Sequence, residues 1–228
     1  MSRIYEERLS DSPYVEKIGH FCIESAYSQV CAANLLWNMM VVIHQGQRSL
    51  SIWGPETQSG LMNFPVGAEF LFIQFKLGRF MPRMQVQTIA NTGIILPDAS
   101  SQSFWLDGSA WQYPDYENVE TFVDWLVRDG LLAHEPIVDA VLQNQPQEIP
   151  SRTVRQRFLR ATGLTRSYIH QLERAQQAAT LLEKGVSILD TVHQAGYADQ
   201  PHLTRSLKRF IGHTPAQIAR VKEVSLTP

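Results

Sequence analysis

Arginine and glutamine side chains cluster on one face of a predicted helix in the last third of the chain. Segment 150–163 starts and ends with residue types that commonly start and end helices, Pro150 and Gly163. At about 100° per residue, Val154, Phe158 and Ala161 share one side and are expected to be buried. The opposite side holds Arg152, Arg155, Gln156 and Arg160. Arginine and glutamine have the donor and acceptor geometry that distinguishes guanine and adenine in the major groove of DNA, so this face has the chemistry of a base-reading surface.

A second predicted helix near the C-terminus repeats this arrangement. Asp199 is suited to cap its start, and Gly212 follows its end. Leu203, Leu207 and Phe210 fall on the side that we expect to be buried. The outward side holds Thr204, Arg205, Lys208 and Arg209. A single basic helix face is usually only a solvated surface, whereas a repeated one indicates a shared partner.

The two helices align with each other at an offset of 49 positions. Val154 aligns with Leu203, and Gly163 aligns with Gly212. The alignment predicts an internal duplication of one DNA-reading unit, in which each of these helices is the second helix of a helix-turn-helix.

Each predicted reading helix is preceded by a shorter predicted helix. Ile188–Gln194 precedes the second one, and Gly196 permits the tight turn between them. Segment 135–142 precedes the first one through a longer link that is rich in proline and glutamine. Between the two copies, segment 165–184 predicts a helix of about 19 residues, or roughly 28 Å. That length is close to one turn of DNA, roughly 34 Å, so we expect both copies to enter successive major grooves.

Acidic and basic residues are unevenly distributed along the chain. Residues 1–150 hold 8 Lys and Arg against 17 Asp and Glu, whereas residues 151–228 hold 12 against 5. A basic segment on an acidic protein suits a polyanionic partner, because lysine and arginine release condensed counterions when they contact phosphates. The distribution of charge agrees with DNA as the partner, but the main support for DNA comes from the sequence motifs.

Short motifs in residues 135–220 are typical of a known family. They include Ser151-Arg152-Thr153-Val154, Ala161-Thr162-Gly163-Leu164, Ala178-Ala179-Thr180-Leu181-Leu182, Ala195-Gly196-Tyr197-Ala198-Asp199, Lys208-Arg209-Phe210 and Thr214-Pro215. On these motifs, the segment resembles the DNA-binding domain of the AraC/XylS family of bacterial transcription regulators. The resemblance implies that the partner is double-stranded promoter DNA.

The resemblance also implies which side chains touch the DNA. The implied base readers are Arg152, Arg155 and Gln156 in the first copy and Gln200, His202, Thr204 and Arg205 in the second. Together with flanking polar and cationic residues, the predicted DNA-binding set is Ser151, Arg152, Thr153, Arg155, Gln156, Arg160, Gln200, His202, Thr204, Arg205, Lys208 and Arg209.

The N-terminal half shows a different pattern, with short apolar runs that are broken by turn residues. The runs 39–43, 50–53, 69–75, 85–90 and 103–106 predict strands of a small sandwich or barrel. After Pro114 the apolar spacing becomes helical. The predicted fold class is therefore α+β, with an N-terminal β-rich, barrel-like or sandwich-like domain followed by an all-α double helix-turn-helix domain. The predicted limits are 1–112 for a sensor or dimerisation domain, 113–130 for an amphipathic helix or linker, and 131–223 for the DNA-binding domain.

Two apolar features of the N-terminal half have alternative interpretations. The stripe of Val119, Phe122, Val123 and Leu126 either packs in the core or forms a homodimer interface. A set of aromatic and methionine residues either packs in the core or lines a pocket for an apolar ligand. This set is Trp37, Met39, Met40, Trp53, Phe70, Phe72 and Phe75. The effector, if one exists, stays unknown at this stage.

The cysteines and histidines indicate neither a metal site nor a cofactor. Cys22 and Cys31 are expected to be reduced thiols, and with His20 and His44 they match no compact ligand spacing. A DNA alkyl-repair enzyme would need a zinc-activated thiolate with about four ligands, which two cysteines do not supply. No catalytic motif indicates another reaction, so the chain is not expected to be an enzyme. The absence of long apolar runs and of a secretory signal predicts a cytoplasmic protein without membrane contact.

These observations predict a sequence-specific transcription regulator. The family resemblance favours an activator that responds to a small-molecule signal and forms a homodimer, with RNA polymerase as a candidate partner. The alternative is a DNA-binding protein whose N-terminal domain only dimerises or recruits a protein partner. A DNA-repair enzyme is the less favoured alternative.

Overall fold

The computed structural model describes residues 5–25, 27–84 and 86–225, and it divides into two compact units. The first unit comprises residues 1–28, 35–56 and 63–165. The second unit comprises residues 29–34, 57–62 and 166–228. The limits predicted from the sequence, 1–112, 113–130 and 131–223, concern parts that fold independently, and they remain a prediction.

Strands occupy the N-terminal part of the described chain and helices the C-terminal part. The strands are β1 (Tyr5–Leu9), β2 (Val15–Cys22), β3 (Tyr27–Cys31), β4 (Asn38–His44), β5 (Gln47–Trp53), β6 (Gly60–Phe64), β7 (Glu69–Phe75), β8 (Arg79–Phe80), β9 (Gly93–Ile95), β10 (Asp98–Ser100), β11 (Ser103–Leu106), β12 (Ser109–Gln112) and β13 (Ala133–His134). The helices are α1 (Val119–Arg128), α2 (Pro136–Leu142), α3 (Ser151–Thr162), α4 (Arg166–Glu183), α5 (Ile188–Gln194), α6 (Gln200–Phe210) and α7 (Pro215–Ser225). Among the helices of the described ranges, none combines the length and the apolar character needed to cross a membrane.

The largest sheet is antiparallel and has the strand order β1-β2-β7-β4-β5-β9. Smaller sheets pair β10-β11-β12, β13-β8 and β3-β6. The predicted strands 69–75 and 103–106 coincide with β7 and β11, and the predicted strands 39–43 and 50–53 lie inside β4 and β5. The predicted fold class is confirmed, and within the described residues the sheets are arranged like a sandwich rather than a closed barrel.

The prediction of a strand at 85–90 is wrong. Residue 85 lies outside the described residues, and Val86–Ile89 forms a 3-10 helix. Ile89 is buried, and its carbonyl lies so close to Gly54 that a Cβ there would be 2.2 Å from the Ile89 oxygen. The N–H of Thr92 donates back to Ile89 at 3.1 Å, and the N–H of Asn91 donates to Pro55 at 3.0 Å. These backbone hydrogen bonds hold the segment in a tight turn rather than in a strand. Apolar spacing alone does not distinguish such a short turn from a strand.

The apolar stripe of α1 packs in the core of the first unit. Val119, Phe122, Val123 and Leu126 are all buried in the main hydrophobic cluster. The ring of Phe122 lies 6.3 Å from that of Phe104 on β11. The core interpretation of the stripe is therefore confirmed, and these four side chains are not available to a second copy of the chain.

Most of the aromatic and methionine set also packs in the core of the first unit. Trp37 stacks on Phe75 with ring centroids 3.9 Å apart, and Met39 lies in the same main cluster. Phe70 belongs to a smaller cluster, against which Met40 and Phe72 pack. The core interpretation again accounts for these residues.

An ion pair joins the first strand to α1. Both oxygens of Glu120 accept from the Arg8 guanidinium, with 2.8 Å between Nη2 and Oε2, and Ser10 donates to Oε1 at 3.0 Å. Arg8 Nη2 also donates to the Tyr116 carbonyl at 3.0 Å. The hydrogen bonds from Arg8 lower the pKa of Glu120 to about 2, from an ordinary value of 4.5. The pair is therefore a pH-dependent fastening of α1 to the sheet.

Arg8→Met is expected to lower the free energy of unfolding at neutral pH, and this loss is expected to shrink in acid. Because the folded pKa of Glu120 is below its unfolded value, the pair stabilises the fold above pH 4.5 and loses this effect as the pH falls towards about 2. Urea unfolding at pH 7, 4 and 3 measures the difference from the unchanged protein. Arg128→Met is the control, because Arg128 is exposed and pairs with its neighbour Asp129 on the same surface. A difference for Arg8→Met that stayed constant through this range would contradict the assignment.

Candidate nucleic-acid interface

Helix α3 of the first unit buries the side that its sequence predicts. Phe158 and Ala161 are buried, and Val154 is half-buried. The helix ends at Gly163, which has a φ of 72° and donates its N–H to Leu159 at 2.8 Å. The residues predicted to touch DNA are exposed, namely Ser151, Arg152, Thr153, Arg155, Gln156 and Arg160. The start of α3 thus presents a continuous polar and cationic face.

A buried carboxylate fixes α3 to α2. Both oxygens of Glu135 accept from Arg157 of α3, Oε1 from Nη2 at 2.7 Å and Oε2 from Nε at 2.9 Å. The same carboxylate caps α2 by accepting from the N–H of Ile137 at 3.2 Å. Arg157 is therefore committed to holding the helix pair, which agrees with its absence from the predicted reading face.

The same residue attaches α2 to the strand ribbon of β8 and β13. The backbone N–H of Glu135 donates to the Gly78 carbonyl at 2.9 Å. Gly78 has a φ of 80°, and a Cβ there would lie 2.9 Å from the Cβ of Val138, so the close approach to α2 requires glycine. The position of α3 is thus set by the sheet region of the first unit, through α2.

The end of α3 contacts the loop after β8. Arg160 Nη2 donates to the Pro82 carbonyl at 3.3 Å, and its guanidinium lies 5.8 Å from the centre of the Phe80 ring. Arg155 instead bonds within its own helix, to the Ser151 carbonyl at 3.3 Å. The two arginines therefore have different surroundings, although both are exposed.

The second unit contains a compact helix-turn-helix formed by α5 and α6. Ser187 caps α5 by accepting from the N–H of Asp190 at 3.1 Å. Asp199 caps α6 by accepting from the N–H of His202 at 2.7 Å, as its sequence predicts. Gly196, with a φ of 67°, lies in the turn between the two helices. Helix α5 has the bounds that were expected from the sequence.

Long-range contacts hold this turn in place. Arg174 of α4 lies 4.4 Å from the centre of the Tyr197 ring and donates to the Gly196 carbonyl at 3.4 Å. Tyr197 and Ser206 share a hydrogen bond of 2.9 Å between their hydroxyl groups. The turn is thereby fixed to α4 on one side and to α6 on the other.

Helix α6 buries its apolar side and exposes most of its cationic side. Leu203, Leu207 and Phe210 are buried, as predicted. The predicted set on this helix divides by exposure. Gln200, Arg205, Lys208 and Arg209 are exposed, whereas His202 and Thr204 are half-buried. The His202 ring packs edge-on against Tyr197 with centroids 5.1 Å apart, so this side chain also helps to hold the turn.

Two segments from the N-terminal half of the sequence cap the end of α6. The N–H of Ala33 donates to the Phe210 carbonyl at 2.7 Å. Ser59 donates its N–H to the Arg209 carbonyl at 2.8 Å and its hydroxyl to the Lys208 carbonyl at 3.0 Å. The last carbonyls of a helix need partners from outside it, and here residues 29–34 and 57–62 of the second unit supply them.

The Arg209 guanidinium lies over aromatic rings at this end of the helix. It is 5.6 Å from the centre of the Tyr168 ring and 5.0 Å from that of Phe210. The Tyr168 hydroxyl donates to the Thr57 carbonyl, and burial raises the pKa of this phenol. The sequence-predicted set therefore forms two groups, one on α3 and one on α6, and each group is positioned inside its own unit.

The first unit also contains a cavity of about 360 Å³ beside the loop that Arg160 contacts. Its lining includes Met81, Met84, Leu96, Trp105 and Leu131, with the exposed Arg83 at its rim. None of the aromatic and methionine residues singled out from the sequence lines this cavity. Pro82, which accepts the bond from Arg160, stands between two lining residues in the sequence.

A comparison with protein-family models finds a match in the helical region. Residues 148–220 match the family model of a helix-turn-helix domain. No curated protein matches the chain.

Two solved structures of ToxT from Vibrio cholerae align with most of the chain. One has 9% identity and a TM-score of 0.35, and the alignment covers 96% of this chain and 98% of that one. The other, of ToxT from strain O395 bound to (E)-4-(8-methylnaphthalen-1-yl)but-3-enoic acid, has 10% identity and a TM-score of 0.36, with 97% and 100% covered. At these TM-scores the alignments carry no argument about function.

Arg155→Ala is expected to weaken binding to a preferred DNA sequence by about 1–3 kcal/mol and to relax base preference. The reason is that Arg155 lies on the exposed start of α3, the part of a recognition helix that contacts base edges. Arg160→Ala, at the far end of the helix, is expected to weaken binding to preferred and random duplexes alike. Fluorescence anisotropy with both kinds of duplex measures the two effects. An equal loss for both kinds of duplex with Arg155→Ala would show that the reading face is wrongly assigned.

Proposed function

We propose, from the match of residues 148–220 to a helix-turn-helix family model, that the protein is a sequence-specific transcription regulator. The domain type is a DNA-binding one, and it agrees with the AraC/XylS resemblance of residues 135–220. The proposal extends this finding to the residues that read the DNA, to an activating role and to control by a small molecule.

The observation that carries the proposal is the pair of helices α3 and α6, each of which presents polar and cationic side chains from its start. On α3 the base readers are Arg152, Arg155 and Gln156, and the hydroxyls of Ser151 and Thr153 bind phosphate at the helix start. On α6 the base readers are Gln200, His202, Thr204 and Arg205. Arg160, Lys208 and Arg209 bind backbone phosphates. All of these residues are exposed except His202 and Thr204, which are half-buried.

Selection of bound sequences from random duplexes tests this proposal with the full-length protein. We expect two conserved boxes whose centres are about one helical turn, or 10–10.5 base pairs, apart. A repeat of this pair of boxes would support a homodimer. Gln156→Ala should blur only the box read by α3, and Arg205→Ala only the box read by α6. Recovery of no motif, with binding that only follows salt concentration, would reduce the basic region to a nonspecific anchor.

The 360 Å³ cavity of the first unit supports control by a small molecule. Its volume is in the range of ligand pockets, and its lining is largely apolar. A compound that displaced the segment from Met81 to Met84 would also displace the Pro82 carbonyl that accepts from Arg160. Occupancy of the cavity would thereby change the position of a phosphate-binding arginine on α3, which is a physical route from a signal to DNA affinity.

Thermal-shift screening of a metabolite library, with hits retested on two matched tryptophan variants, examines this part of the proposal. Trp105 lines the cavity and Trp125 does not, although their exposed fractions are nearly equal at 46% and 45%. A compound at 100 times its Kd adds about 2.7 kcal/mol to the free energy of unfolding. We expect Trp105→Ala to lose this gain and Trp125→Ala to keep it. Equal gains in both variants would place the site elsewhere.

A regulator whose N-terminal domain only dimerises or recruits a protein partner is the second candidate function. The edge strand β9 favours it, because Ile94 and Ile95 are 40% and 72% exposed at the end of the largest sheet. Exposed apolar edge strands pair readily with other strands. Both candidate functions include three further proposals: the protein forms a homodimer, contacts RNA polymerase and acts in the cytoplasm. A screen that yields no stabilising compound would favour the second candidate.

A further inference from the structure

Three side chains of different chemistry meet on one face of the largest sheet. His20 and Cys22 are two positions apart on β2, so they point to the same face. Glu69 of β7 lies directly opposite Cys22 in the antiparallel register. One ligand atom from each of the three residues lies within 4.8 Å of the other two. Strand pairing thus brings together an imidazole, a thiol and a carboxylate that are up to 49 positions apart in the sequence.

These polar groups lie on the face of the sheet that forms the core. Ile18 on β2 and Leu71 on β7 point to the same face and are buried in the main hydrophobic cluster. On this face, His20, Cys22 and Glu69 occupy the positions next to the apolar ones along the two strands, and all three are half-buried. Polar residues that interrupt an apolar face in this way are often functional, since packing alone would favour apolar ones.

We propose that His20, Cys22 and Glu69 bind a Zn²⁺ ion through imidazole nitrogen, thiolate sulfur and carboxylate oxygen. This donor set suits a borderline-soft divalent ion, whereas Mg²⁺ and Ca²⁺ prefer oxygen ligands alone. Zinc bond lengths of about 2.0–2.3 Å in a tetrahedron require ligand atoms roughly 3.5 Å apart. The His20 Nε2 to Glu69 Oε1 distance of 2.7 Å must widen by a little less than 1 Å, and the other separations are at most 4.8 Å.

Two of the three proposed ligands, His20 and Glu69, also line a cavity. This cavity of about 250 Å³ is lined by His20 and Glu69 on one side and by residues 114–117 on the other. Asp115 and Glu117 add carboxylates to the lining, and Arg48 adds one positive charge. Asp115 already caps the chain before α1, because its Oδ1 accepts from the N–H groups of Glu117 and Asn118 at 3.1 and 3.0 Å. With three protein ligands, the fourth position is open to water or a small anion, as in exchangeable zinc sites.

An ordinary ion pair between His20 and Glu69 accounts for only two of the three groups. It gives no reason for Cys22 to share their face within ligand distance. A metal ion uses all three, and its binding releases the thiol proton of Cys22 to solvent. The site lies in the first unit and is independent of the proposed DNA reading, so a failure of one proposal leaves the other standing.

Metal titration of the tag-free, reduced, full-length protein tests the site, with Zn²⁺ followed by calorimetry and Co²⁺ by absorption. We expect one Zn²⁺ per chain and, with Co²⁺, tetrahedral bands together with a sulfur-to-metal charge-transfer band. Cys22→Ser should remove the charge-transfer band and weaken Zn²⁺ binding by about tenfold or more. His20→Gln and Glu69→Gln should weaken binding while the charge-transfer band persists.

The second cysteine provides the matched control. Cys31 is also half-buried, but it lies on β3 and belongs to the second unit. Cys31→Ser should bind Zn²⁺ and Co²⁺ as the unchanged protein does. Circular dichroism and DNA binding without metal verify that each variant is folded. The proposal is overturned if the unchanged protein takes up no Zn²⁺, if Cys22→Ser keeps the charge-transfer band, or if Cys31→Ser loses it.

Discussion

The buried carboxylate of Glu135 connects the parts of the first unit on which the α3 interface depends. The carboxylate accepts two hydrogen bonds from Arg157 of α3 and one from the start of α2. The backbone N–H of Glu135 donates to the Gly78 carbonyl, next to the ribbon of β8 and β13. A buried carboxylate is costly unless it is paired and hydrogen-bonded, so a shift of α3 away from Glu135 would leave a buried charge without its partner. A shift of the ribbon would leave the backbone N–H of Glu135 without its acceptor. The orientation of the exposed start of α3 is therefore set by Glu135, which binds Arg157 on a different side of the helix. A different arginine, Arg157, neutralises the buried carboxylate of Glu135, so the outward-facing arginines of α3 are not needed for that pairing and are available to a partner such as DNA.

The second unit fixes its helix by different means and with a similar result. Helix α6 is capped at its start by Asp199, and its last carbonyls are satisfied by Ala33 and Ser59. Its C-terminal cation Arg209 lies against aromatic rings, whereas Arg205 is exposed nearer the start. In both helices the end is fastened to the protein and the start is presented outward. This is the orientation that base reading by recognition helices requires, since their N-terminal residues contact the base edges.

Local signals allowed the helices to be predicted from the sequence, and their absence limited the rest. Caps and glycine stops mark α3, α5 and α6, and a strict apolar spacing marks α1, so these elements were found with nearly their observed bounds. Val86–Ile89 was misassigned because its close packing on Gly54 leaves no periodic signal. The contribution of residues 29–34 and 57–62 to the second unit depends on backbone bonds to α6, which carry no side-chain signature. Likewise, Glu69 joins His20 and Cys22 only through the register of β2 and β7, and no strand was predicted over residues 15–22, so the sequence indicated no metal site there.

The distribution of charge gives the two proposed reading helices different tasks. Helix α3 belongs to the first unit, which contains 17 acidic and 12 basic residues. An acidic body repels phosphates, so attraction that is independent of sequence is weak there, and stable contact by α3 relies on correct base contacts. Helix α6 belongs to the more basic part of the chain, where nonspecific attraction is stronger. Displacement of the loop at Pro82 would move Arg160, a proposed phosphate contact, so it would change the affinity of α3 for preferred and random duplexes alike, while α6 supplies affinity that the signal leaves in place.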